Sequence, residues 1–142
     1  MSTLEQAIAV AVEAHKGQVD KYGQPYILHP LRVMFRLESV VDKIVGILHD
    51  VVEDTEMTFA DLRQMGYSEE VIEALAGVTR RSDETYAAFV LRSRQHPISR
   101  RVKLADLEDN MDLRRLSSEL SEKDFGRLKR YRRAWEQLQE DR

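Results

Sequence analysis

The 142-residue chain contains no cysteine, which excludes a disulfide framework and a thiolate metal site, so any metal must be held by nitrogen and oxygen. No stretch approaches the ~20 apolar residues of a membrane span, and the opening MSTLEQAIAVAVEAH lacks the basic start of a signal peptide. A cytoplasmic protein is expected. Internal repeats, low-complexity tracts and a dividing linker are also absent. The length is that of one domain, 1–142, large enough to bury a real core and without room for a second catalytic domain. No segment alternates with strand period over enough residues to demand a sheet. The net charge of −3 lacks the basic footprint that nonspecific nucleic-acid binding needs. That charge is uneven, with an acidic excess up to Leu91 and a basic one from Arg92 onward. Because acids are interleaved there, a solvated, ion-paired surface is the ordinary reading, and help in holding an anionic substrate the sharper one.

What is present reads as helices, about seven or eight of them in a compact all-α bundle. Leu4, Ile8, Ala11 and His15 share a face of the first, with Ser2 or Thr3 as its cap. GQVDKYGQP is a turn-rich loop. Pro30 opens a second helix, LRVMFRLESVV, and Val41 to about Val52 forms a third. Thr58 caps FADLRQM, ended by Gly66, and Ser68 caps EEVIEALAGV, ended by Gly77. Further helices are expected at about 83–95, 98–116 and 121–139. The last repeats Phe125, Leu128, Tyr131, Trp135 and Leu138 as an apolar stripe, which must pack on the domain's own core or on a second copy in a homo-oligomer.

The chemistry concentrates in ILHDVVEDT. Residues three and four apart share a helix face, so His49 and Asp50 stand under Glu53 and Asp54, two metal-ligand types beside two further carboxylates. An exposed acidic helix end with one ordinary histidine is the bland alternative. Two other positions weigh against it. His29, directly before Pro30, would sit at the mouth of the second helix. Asp106 lies in VKLADLEDNMDLRRL, where Val102, Ala105, Leu113 and Leu116 form an approximate apolar stripe and Asn110 follows one turn later, so its carboxylate could face inward. His15 reads as a packed, hydrogen-bonded histidine and His96 as a loop residue.

The order H…HD…D over a helical background resembles the HD superfamily of metal-dependent phosphohydrolases. AHKGQVDKYGQPYILHPLRV, HDVVEDT and VKLADLEDN narrow the likeness to the hydrolase domain of RelA/SpoT-type alarmone enzymes and to small stand-alone SpoT-homologue hydrolases, over roughly Ala7 to Leu116. The resemblance implies an all-α hydrolase without a synthetase partner. It makes His29, His49, Asp50 and Asp106 metal ligands, Glu53 and Asp54 the water-activating pair, and Lys21 and Asn110 substrate contacts. Lys103, Arg32, Arg80 and Arg81 are further cations for phosphate oxygens. The donor set suits Mn²⁺, with Fe²⁺, Co²⁺ or Zn²⁺ as alternatives.

Two departures bear on the substrate. Asp20 precedes Lys21 where those enzymes usually show a basic pair. Leu107 and Asp109 stand where a basic residue and a histidine or aromatic are common. The expected substrate is a phosphorylated nucleotide, first (p)ppGpp, losing its 3′-diphosphate. Alternatives are another nucleotide, such as NADPH losing its 2′-phosphate, and a nucleotide-binding module without turnover. Asp20 and Leu107 are expected to shift specificity.

Overall fold

Six of the helices open on a serine or threonine, Ser121 ahead of the last among them. In the computed structural model, which describes residues 2–116 and 119–139, Thr3 accepts the Gln6 amide and Gln6 returns a bond to the Thr3 amide, starting α1 (Leu4–His15). Thr58 and Asp61 form the same reciprocal cap on α5 (Phe59–Gln64). Ser39 caps α3 (Val40–Leu48), Ser68 caps α6 (Glu69–Gly77) and Thr85 caps α7 (Tyr86–Arg94). Each cap contributes about 1 kcal/mol by satisfying amides that a helix end leaves open. α2 (Leu28–Phe35), the single turn α4 (Val51–Asp54), α8 (Pro97–Asn110) and α9 (Glu122–Gln139) complete an all-α architecture. Among the described residues there is no strand, only an isolated bridge from Val19 to Pro25 that closes the α1–α2 loop.

α3 lies at the centre, against α1, α2, α6 and α8. It buries Ile44, Val45, Ile47 and Leu48, being apolar round most of its circumference as an enclosed helix must be. Gly46 lets α2 come near: a Cβ there would lie 2.6 Å from the Leu37 side chain and 3.5 Å from the Met34 backbone. That approach sets the first turn of α2 beside the end of α3. α8 packs on α2 and α3 and also meets α9, where Val90, Leu107, Ala134 and Leu138 form a second, smaller core.

Several boundaries differ from the sequence reading for identifiable reasons. α2 begins at Leu28, so Pro30 falls within its first turn, and it stops at Phe35 because Ser39 starts a new helix. The third helix is interrupted: α3 ends at Leu48, His49 and Asp50 form a turn in which Asp50 stays right-handed at φ −102°, ψ −1°, and α4 restarts at Val51. α8 ends at Asn110, and Asp112 caps a short 3₁₀ turn, Leu113–Arg115, leaving Leu113 outside the stripe and 62% exposed. Gly77 belongs to α6 itself, and its role is clearance, since a Cβ would run into Ser99 of α8. In α9, Ala134 and Leu138 face the core while Phe125 points outward.

Candidate metal centre and catalytic cleft

The interruption after α3 has a chemical consequence. His49 turns back on its own helix, with Nδ1 2.6 Å from the Gly46 carbonyl. A carbonyl only accepts, so Nδ1 carries the proton and Nε2 presents a lone pair. His29, in the first turn of α2, has the Asp109 carboxylate 2.6 Å from its Nδ1. Both Nε2 atoms then face carboxylates. His29 Nε2 is 2.9 Å from Asp106 Oδ1 and 3.7 Å from Asp50 Oδ2, and His49 Nε2 is 3.1 Å from Asp50 Oδ2 and 3.4 Å from Asp106 Oδ1. One donor atom each of His29, His49 and Asp50 falls within 4.8 Å of the others.

Lone pairs aimed at carboxylates repel, and a cation between them removes the conflict. His49 Nε2 is buried with no partner in hydrogen-bond geometry, despite the nearness of Asp50. Such a donor set fits a divalent ion. Without one, protons answer the same demand. Burial opposes a charge on His29, and its bonds to Asp106 and Asp109 outweigh that, raising its pKa. Burial is outweighed again at His49, where Asp50 and Asp106 push the pKa well up. Burial would raise Asp50, yet His49 brings it to about 2. Asp106 lies well below the usual carboxylate range because Lys103 and both imidazoles overcome its burial.

Each donor has a further partner. Tyr26 donates to Asp50 Oδ2 at 2.6 Å, Lys103 to Asp106 Oδ2 at 3.0 Å, and Asn110 to Asp106 Oδ1 at 3.2 Å. Asp109, fully buried, binds His29 and also accepts from Arg32 at 2.8 Å and Arg115 at 2.9 Å. Around these groups opens a cleft of about 460 Å³, bordered also by Glu53, Asp54, Lys21 and Asp20. Glu53 Oε1 accepts the Arg80 amide at 2.8 Å. Solvent reaches Glu53 and Asp54, but crowding by protein raises both carboxyls, with the Asp50 charge adding to the effect.

No protein-family model matches the chain. Individual relatives do. A protein of Aquifex aeolicus named guanosine-3′,5′-bis(diphosphate) 3′-pyrophosphohydrolase is 32% identical over 120 residues, covering 76% of this chain and 17% of that protein. A GTP pyrophosphokinase of Streptomyces coelicolor is 36% identical over 134 residues, 84% of this chain and 16% of its own length. The bifunctional (p)ppGpp synthase/hydrolase SpoT of Escherichia coli is 41% identical over 81 residues, 54% of this chain and 11% of SpoT. The chain is a RelA/SpoT-type homologue. It spans 11–17% of the length of these relatives. A solved structure described as a metazoan SpoT orthologue that hydrolyses ppGpp shares the fold, with a TM-score of 0.78 and 18% identity over 98% of this chain and 86% of that one.

Of the side chains singled out from the sequence of this RelA/SpoT-type chain, His29, His49, Asp50, Asp106, Glu53, Asp54, Lys21, Asn110, Asp20, Lys103 and Arg80 border one cleft, and Arg32 and Arg81 do not. Their situations differ. Lys103 is buried, paired with Asp106 and set 4.9 Å from the Phe89 ring, so its charge is already engaged. Asp20 uses Oδ1 to accept the Tyr22 and Gln24 amides at 2.8 and 3.0 Å, fastening its loop, and Oδ2 lies 3.5 Å from Arg115. Leu107 and Asp109 do not reach the cleft: the first fills the small core, the second supports His29. Arg32 likewise turns to Asp109. His15 is buried with Nδ1 2.8 Å from Gln18, and His96 caps α8 rather than sitting in a plain loop. Tyr26 and Arg115 escaped the sequence reading, as did the support that Asp109 gives His29, although the i, i+3 spacing of Asp106 and Asp109 was a usable signal.

Proposed function

We propose that this cleft is the active site of a metal-dependent hydrolase of phosphorylated nucleotides, with (p)ppGpp the first candidate and removal of its 3′-diphosphate the reaction. The observation that carries this is the convergence of both Nε2 atoms, each ring braced through Nδ1, on Asp50 and Asp106. His29, His49, Asp50 and Asp106 would hold the ion, with Mn²⁺ first and Fe²⁺, Co²⁺ or Zn²⁺ as alternatives. When bound, it supplies a water of lowered pKa and offsets charge on a phosphoryl oxygen.

The remaining tasks fall to the chain's own groups. Glu53 takes the proton, and the Arg80 amide holds one oxygen in place. Asp54 orients the water beside it. Water oxygen adds to the phosphorus attached to the 3′ oxygen, the bond from that phosphorus to the 3′ oxygen breaks, and the departing 3′ oxygen gains a proton. Lys21, Asn110, Arg80 and Arg115 border the same space and offer donors to phosphate, while Tyr86, Phe89 and Tyr131 offer faces for a base. On this reading the chain acts as one catalytic domain in the cytoplasm on a small nucleotide. No helix among the described residues is long and apolar enough to cross a membrane.

Purified protein with Mn²⁺ should be assayed against ppGpp, pppGpp and NADPH, with diphosphate and phosphate measured separately. Diphosphate release from ppGpp is the expected result. Phosphate from NADPH alone would move the assignment to another nucleotide, binding without turnover would make the chain a regulatory module, and no binding would sink both.

A further inference from the structure

The segment between α6 and α7 supplies the Arg80 amide that holds Glu53, and it is closed by one side chain outside the cleft. Arg92, on α7, donates from Nε to Glu84 Oε2 at 2.8 Å and from Nη2 to Glu84 Oε1 at 2.9 Å. Its Nη1 donates to the Ala76 carbonyl at 2.6 Å and Nη2 to the Thr79 carbonyl at 2.7 Å. One guanidinium thus ties α7 to the end of α6 and to both ends of residues 79–84. Glu84 carries the closure inward: Oε1 accepts the Arg81 amide at 3.1 Å, and the Glu84 carbonyl accepts Arg80 Nε at 3.1 Å. Between these anchors, the Arg80 amide points at Glu53 Oε1, and Arg80 lies 5.8 Å from the Tyr86 ring on the cleft wall.

We infer that Arg92, with Glu84, is a positioning residue that sets the orientation of Glu53 through the 79–84 segment and the Arg80 amide. Burial of the pair supports the role, since the side chains are 20% and 9% exposed and a bidentate, sheltered pair holds geometry where a surface pair would not. A planar fork with five donors can bridge a carboxylate and two carbonyls together; a lysine ammonium in the same place cannot span them. A misplaced catalytic group loses rate even when binding survives.

This rests on Glu53 acting as the base, so the test has two independent readouts. Arg92→Ala, the milder Arg92→Lys, and Arg63→Ala, which breaks an exposed bidentate pair with Glu69, are compared with wild type in the full chain. On ppGpp with Mn²⁺, both Arg92 variants should lose on the order of 10- to 100-fold in kcat with KM and Mn²⁺ affinity within about twofold, whereas Arg63→Ala should match wild type. Hydrogen exchange at the Arg80 amide should accelerate in both Arg92 variants and in Glu53→Ala, and not in Arg63→Ala. Fast exchange with unchanged kcat overturns the positioning role, and unchanged exchange overturns the latch. Parallel loss of Mn²⁺ affinity in Arg92→Lys makes the pair merely structural and overturns the inference too. If wild-type protein does not turn over ppGpp, the functional reading fails by itself, and the exchange data still decide whether Arg92 holds Arg80 against Glu53.

Discussion

The two sides of the cleft are built on different terms. On the proposed ligand side each candidate donor is held by a second bond: His29 by Asp109, His49 by the Gly46 carbonyl, Asp50 by Tyr26, Asp106 by Lys103 and Asn110. Lys103, Asp109 and Asn110 come from α8 and Gly46 from α3 itself, while Tyr26 stands in the loop just ahead of α2. On the other side, Asp20 and Lys21 ride on a loop with left-handed glycines at Gly17 and Gly23, and Arg115 comes from a 3₁₀ turn. Lys21 is exposed, and burial followed by the nearby Arg127 charge lowers its pKa. A metal site needs fixed distances, and packed helices supply them. A nucleotide site needs donors that can be repaired from one ligand to another, which loops supply.

The comparison breaks most visibly at α4. Glu53→Gln and Asp54→Asn should lower kcat by about 10²–10⁴-fold, the range of a general base, while Mn²⁺ binding, followed by calorimetry, stays near wild type. Asp50→Asn and Asp106→Asn should instead lose the ion. Equal loss of metal in both groups would make Glu53 and Asp54 part of the ligand side.

Asp109 probes the support of that side. Removing it leaves His29, Arg32 and Arg115 without their buried carboxylate, so Asp109→Ala should cost about 3–5 kcal/mol in urea unfolding, as for a broken buried pair. Mn²⁺ affinity should drop about 10- to 100-fold, as when an outer partner of a metal histidine is removed. Glu69→Ala, which breaks an exposed pair, should cost no more than about 1 kcal/mol. Similar losses in the two variants would mean that Asp109 is no more than surface charge in effect.

The pH dependence of metal-free protein separates protons from ion. His29 and His49 have folded pKa values above the ordinary 6.5. Their stabilisation is therefore complete below about pH 6.5 and is lost as pH rises through the folded values. Asp50, Asp106 and Asp109 lie below the ordinary 3.8, so theirs is present above about pH 4 and lost as pH falls through the folded values. Glu53 and Asp54 act in the opposite sense and more weakly, because solvent reaches them. Stability without metal should thus be highest between about pH 4 and 6.5 and decline on the alkaline side. Added Mn²⁺ needs both Nε2 atoms deprotonated, so it should bind better as pH rises and abolish that decline. Urea midpoints at several pH values with and without Mn²⁺ check this, and an alkaline decline that ignores Mn²⁺ would remove the two histidines from the ion site.

The same contrast explains what could be read without coordinates. Caps at Thr3, Thr58 and Ser68 were legible because capping is local chemistry, carried by residues three apart. The meeting of His29, His49, Asp50 and Asp106 was legible because few residue types serve as ligands and the order H…HD…D resembles a known family's. The break after Leu48 was not, since apolar residues on both sides continue the helical period. Nor was the burial of Asp109, whose partners Arg32 and Arg115 come from other elements. Arg92 looked like one more cation in a mixed surface until α6 and α7 came together around it. Phe125 continued the stripe of α9, yet only the later turns, at Ala134 and Leu138, meet the small core.

Asp20 gives the smallest expected effect and the finest distinction between the two sides. Its Oδ1 accepts two loop amides while Oδ2 stands 3.5 Å from Arg115, so structural and electrostatic roles fall on different oxygens. Asp20→Asn keeps an oxygen for the amides and removes the charge. Stability should change by less than about 1 kcal/mol, and Arg115 and Lys21, relieved of an anion, should bind a phosphorylated nucleotide more tightly, lowering KM on the order of two- to fivefold. Asp20→Ala removes the acceptor as well and should cost roughly 1–2 kcal/mol for two hydrogen bonds, raising KM as the loop loosens around Lys21. If the carboxylate instead accepts from a ribose hydroxyl or a base amine, Asn and Ala should both weaken the native substrate. Measuring kcat/KM of the two variants on ppGpp and NADPH decides the matter: opposite changes in Asn and Ala identify a loop fastener that restrains a cation, parallel losses identify a substrate contact, and unchanged values on both nucleotides take Asp20 out of the substrate side altogether.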